Sequence, residues 1–90
     1  MPKYIVVREL TGAGNLSPQQ LKEISQTAVD VLQNMGHQIQ WVHSYVTAEK
    51  IYCVYNAPHK DMILEHASYG GLPANEISQV KAIIDPVTAE

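Results

Sequence analysis

Cysteine occurs once in these 90 residues, as Cys53, and charged side chains make up only 17% of the chain. A lone cysteine excludes an internal disulfide and makes a reducing compartment the default, so a cytoplasmic location is expected. The Lys and Arg residues number six, are scattered along the chain and leave a formal net charge of -3. Without a basic stripe to hold phosphates, nucleic acid is not an expected partner. The apolar part of the N-terminal run Tyr4-Ile5-Val6-Val7 is too short for an export signal and far short of the roughly 20 residues of a membrane span. No membrane is therefore expected as a partner. Internal repeats and low-complexity stretches are lacking, as are Cys-x-x-Cys and His-Glu-x-x-His spacings, so no strong metal motif stands in the sequence.

Hydrophobic residues, by contrast, reach 46%. With charge well below the usual quarter, one subunit of this size has more apolar surface than it can hide, which favours a homodimer. The length predicts a single domain spanning residues 1–90, with the last few residues after Pro86 as a tail.

Tyr4 to Glu9 reads as a short strand closed by the turn-rich Thr11-Gly12-Ala13-Gly14-Asn15. A helix start follows: Ser17 is placed to cap, Pro18 to take the first helical position and Gln20 to complete a capping box, with Leu16 and Leu21 as a hydrophobic staple. Leu21, Ile24, Ala28, Val31, Leu32 and Met35 recur at helical spacing, and Gly36 supplies a left-handed stop. This stripe predicts a helix lying over a sheet.

Ile39 to Val46 and Ile51 to Tyr55 read as a β-hairpin with apolar bulk on both faces. Strict alternation would put Trp41, His43 and Tyr45 on one face and Val42 and Val46 on the other; in the second strand it separates Tyr52 and Val54 from Ile51, Cys53 and Tyr55. Ala57-Pro58 ends that strand, and a second helix is expected from about His59 to Tyr69, with Ile63, Ala67 and either Met62 or His66 inward. Ile77 to Asp85 alternates like a last strand, closed by Pro86. The order βαββαβ predicts an α+β, ferredoxin-like sandwich: a four-stranded antiparallel sheet with two helices on one face. The sheet's other face is left bare by this topology, so dimerisation through the sheet is expected.

The runs Ile39-Gln40-Trp41-Val42-His43-Ser44-Tyr45 and Lys50-Ile51-Tyr52-Cys53-Val54-Tyr55, with Ala57-Pro58, Glu65-His66-Ala67 and Gly71-Leu72-Pro73-Ala74, give the chain its family likeness. It resembles, over nearly its whole length, a family of small bacterial domains of unknown function often labelled nickel-binding proteins. The resemblance implies a ferredoxin-like homodimer that binds nickel or another divalent transition metal.

His43, His66 and His59 are the candidate metal ligands. Neutral imidazole suits nickel, zinc or copper, but one histidine is not a site, so further ligands must come from elsewhere in the fold or from a second copy. The structural alternatives are a half-buried His43 at a dimer seam, a His66 that favours the dipole at a helix C-terminus or lies at the core edge, and an exposed His59 near a helix start. His37 is expected in solvent. Cys53 reads as a small hydrophobe rather than a nucleophile, and the Gly12-Ala13-Gly14 run as a loop rather than an anion cradle. Arg8 on the first strand needs a partner, for which Asp85 or Glu76 is placed while Glu9 points the other way. Three functions follow: metal binding or sequestration by a homodimer; an enzyme of the dimeric α+β barrel kind, moving protons with His43 and Tyr45 or Tyr52 in a pocket between two sheet faces; and a ligandless interaction module. The first is favoured and catalysis is not expected, so no catalytic residue is assigned.

Overall fold

The computed structural model describes residues 1–36, 38–71 and 73–90. Among them the elements run β1 (Lys3–Glu9), α1 (Pro18–Asn34), β2 (Gln40–Val46), β3 (Lys50–Asn56), α2 (Lys60–Gly70) and β4 (Glu76–Gln79). The strands form one sheet in the order β2-β3-β1-β4, with every neighbouring pair antiparallel. This is the ferredoxin-like βαββαβ arrangement expected from the order of patterns.

Helix α1 begins where the sequence places it. The Gln20 backbone N–H donates to Ser17 Oγ at 3.1 Å, and the Ser17 N–H donates to Gln20 Oε1 at 2.9 Å. Two amide donors at the helix entrance are thereby satisfied reciprocally. Ser17→Ala leaves one of them without its acceptor and is expected to cost about 1 kcal/mol, read as a lower urea midpoint. An unchanged midpoint would mean that the cap contributes nothing to the folded state. Before the helix, the peptide at Gly14 runs so close to the β2–β3 turn that a Cβ there would sit 2.9 Å from Ala48 Cα. Glycine is required at that crossing by space alone.

The face of β1 carrying Tyr4, Val6 and Arg8 is buried beneath the helices, together with Ile51, Cys53 and Tyr55 of β3; Ile63 of α2 is fully enclosed. Half-buried Trp41, Leu32, Met35 and Ile77 close around this core. The opposite face carries Ile5, Val7, His43, Tyr45, Tyr52 and Val54, and Tyr45 is 60% exposed.

Two expectations are corrected. The β2–β3 register steps from Trp41 to His43, leaving Val42 as the extra residue of a β-bulge. Trp41 therefore shares the helix face with Ser44 and Val46, opposite Tyr55, Cys53 and Ile51, while His43 and Tyr45 keep the uncovered face. One inserted residue reverses strand parity, which is why the alternation failed at Trp41. The last strand is also shorter than expected. Its ladder with β1 ends at Tyr4↔Gln79 because β1 begins at Lys3, so beyond Val80, which donates to the Lys3 carbonyl, the chain has no strand to pair with among the described residues. The residues after Asp85 form a 3-10 turn (Pro86–Ala89), in which the Asp85 carboxylate accepts from the Val87 and Thr88 amides. His37 and Leu72 lie outside the described residues. No helix among the described residues is long and apolar enough to cross a membrane.

Candidate functional site

Strand alternation brings Arg8 and Tyr55 to the same buried face, and α2 lays His66 against them. The Arg8 guanidinium donates from Nη2 to Tyr55 Oη and from Nη1 to the Pro73 carbonyl, each at 3.2 Å. Tyr55 in turn meets the His66 ring edge-on, with centroids 5.3 Å apart. The partners expected for Arg8 are placed otherwise: Glu76 pairs with Val7 on the uncovered face, and the Asp85 carboxylate caps its own turn.

Electrostatics bind the three groups into one unit. Burial works against the Arg8 charge, but the facing Tyr55 and Cys53 groups more than offset it and hold the guanidinium firmly ionised. Burial pushes the Tyr55 phenol up to about 12, so it stays protonated. His66 moves the other way: burial, and then the positive charge of Arg8, lower its pKa from 6.5 to about 4. A neutral imidazole is therefore built into the core at physiological pH. His66 is 3% exposed, and its Nδ1 has no hydrogen-bond partner among the described residues.

These side chains belong to the wall of a cavity of about 400 Å³ between the sheet and the helices. The rest of its wall is mostly apolar, with Leu21, Ile24 and Ala28 of α1 facing Trp41, Val46 and Ile51 of the sheet. The cavity explains a second observation. The predicted stripe of α1 does face inward, yet none of its residues is fully buried, because the helix stands off the sheet across this space. Trp41 is held at the wall by donation from its Nε1 to Ser44 Oγ at 2.9 Å.

The candidate metal ligands are dispersed. His43 is exposed on the uncovered face, edge-on to Tyr45 at 4.9 Å and opposite Val54. His59 is exposed just before α2 and makes no side-chain cap. His66 lies beneath the other face of the sheet. Among the described residues no group of three His, Cys, Asp or Glu side chains is arranged to hold a metal ion. The enzyme alternative places a pocket between two sheet faces around His43; the pocket within one chain lies instead on the helix side, and its histidine is His66. Parity carried the signal: Arg8 lies two and four residues from buried Val6 and Tyr4, and His66 follows Ile63 by three.

The profile of the family described as nickel responsive protein SCO4226-like matches residues 4–80. The chain belongs to that family. The matched span runs from the second residue of β1 to just past β4 and so takes in all of the sheet but Lys3, both helices and the cavity. A solved structure described as the crystal structure analysis of SCO4226 from Streptomyces coelicolor A3(2) is similar to this chain, with a TM-score of 0.76 and 18% identity. The similarity covers 91% of this chain and 99% of that one. At that identity the likeness concerns the fold. No curated protein matches the chain.

Proposed function

We propose that this SCO4226-like protein is a homodimer, paired through its uncovered sheet faces, that binds nickel or another divalent transition metal with His43 of each copy. The position of His43 carries this reading: an exposed imidazole on the one sheet face that no helix covers, beside the exposed ring of Tyr45. The family description supplies the metal. Packed sheets lie about 10 Å apart, a gap that two imidazoles with an ion between them can bridge. The dispersal of ligands within one chain agrees with a site that two copies complete, water filling the remaining positions. His59 is a second, more peripheral position. His66 is excluded on electrostatic grounds, since the Arg8 guanidinium beside it repels a dication.

Calorimetric titration with nickel tests the assignment on the wild type and on His43→Ala, His59→Ala and His66→Phe. Loss of binding is expected in His43→Ala, with little change in the other two. Loss in His66→Phe with retention in His43→Ala would overturn the assignment. Absence of nickel, zinc and copper binding by the wild type would overturn metal binding altogether.

A further inference from the structure

Native cores hold few voids larger than a water molecule, and burying a polar atom without a partner is costly. The space under α1 combines both. Its volume of about 400 Å³ lies in the range of small-molecule sites, roughly 300–1,000 Å³. Its lining combines apolar side chains with the Arg8 guanidinium and a neutral imidazole close enough to feel its charge. We infer that this cavity binds a small organic monocarboxylate, with its carboxylate between Arg8 and His66 and its apolar body along Leu21, Ile24 and Trp41.

Arg8 and His66 select the ligand class. A planar, permanently charged guanidinium favours a carboxylate, and the His66 tautomer protonated at Nδ1 gives the second oxygen a donor. Recognition does not require Arg8 to release Tyr55 or the Pro73 carbonyl, because its charge attracts the anion across the low-dielectric wall. Arg8 is the one permanently cationic side chain among the described cavity-lining residues, and Glu23 also lines the space. Phosphate-like dianions are disfavoured on that account. A cationic ligand is disfavoured by Arg8 itself. The apolar remainder calls for a hydrocarbon or aromatic body, whose burial supplies the non-directional part of the affinity. His66 stays neutral without a ligand because of burial and Arg8. An anion seated against it should raise its pKa.

The inference is independent of nickel at His43, which lies on the other face of the sheet. Trp41 is the only tryptophan and lines the cavity, so its fluorescence reports occupancy directly. The full chain is titrated with 3-phenylpropionate, 3-phenylpropan-1-ol and 3-phenylpropylamine. Saturable binding of one acid per chain is expected, with the alcohol weaker by about tenfold or more, as befits a lost charge-assisted contact, and the amine not bound. Ala67→Leu, which fills the cavity wall, should abolish acid binding while leaving the thermal melt at or above that of the wild type. Arg8→Gln should remove the preference for acid over alcohol. The His66 imidazole resonance should titrate at higher pH with the acid bound than without it. Equal affinity for acid and alcohol, unchanged binding in Ala67→Leu, or no saturable binding of the acid up to millimolar concentration would each overturn the inference. Loss of nickel binding in His43→Ala with acid binding intact would leave it standing.

Discussion

Acidification from pH 6.5 to about 4 is expected to destabilise the folded protein by on the order of 3 kcal/mol through His66 alone. The unfolded imidazole takes up a proton near 6.5, whereas in the native state burial and the Arg8 charge hold it neutral down to about 4. Across that window the unfolded chain binds a proton that the native chain does not, so stability falls as the pH falls. The contribution is fully present above 6.5, and no more is lost to this group below about 4. A gap of about 2.5 pH units at 1.36 kcal/mol per unit sets the size. Carboxylates add their own acid sensitivity, so the informative quantity is the difference from His66→Phe, whose ring has a similar shape and cannot titrate. Urea unfolding across the window should show a steeper loss in the wild type. Parallel curves would mean that His66 already carries its proton in the folded protein, and the electrostatic account of the Arg8–Tyr55–His66 group would fail.

Tyr45→Glu is expected to convert a dimer into a monomer. Tyr45 is 60% exposed in the single chain, and Ile5, on the same face in the row of Val54 and His43, is 37% exposed. Pairing the sheets would remove such side chains from water at roughly 1.5–3 kcal/mol for each one fully buried, counted on both copies. A glutamate in their place would bring two like charges to the seam without partners. Light scattering on a size-exclusion column should give twice the 10.0 kDa chain mass for the wild type and the chain mass for the variant. A monomeric wild type at micromolar concentration would contradict pairing through this face. Trp41, which strict alternation had placed on this seam, faces the cavity instead, so Trp41→Phe should leave the dimer intact.

Much of this architecture was legible in the residues because local and global preferences agree. Ser17, Pro18 and Gln20 specify a helix entrance through their own hydrogen bonds, and alternation groups Ile51, Cys53 and Tyr55 on one face of their strand, although apolar bulk on both faces leaves open which of them the helices cover. Trp41 was misplaced because a bulge leaves almost no mark in composition: Val42 is an unremarkable strand residue, yet counting it in the ladder reverses every assignment before it. The last strand was overextended for a different reason. Val80, Ala82 and Ile84 alternate properly, but a strand needs a partner, and the partner ends at Lys3. The cavity is harder still to anticipate. A helical stripe such as Leu21-Ile24-Ala28 reads the same whether it presses against a sheet or stands off from it. What could be read was the need of Arg8 for company, and strand parity together with the spacing from Ile63 to His66 names Tyr55 and His66 as the groups on its side.

Diffraction at the nickel edge from crystals grown with nickel locates the ion and the seam together. An anomalous peak at a His43 ring nitrogen, between two sheets packed face to face, is the expected result. A peak at His66 inside the helix–sheet cavity, or two sheets left unpaired with no ion at His43, would contradict it.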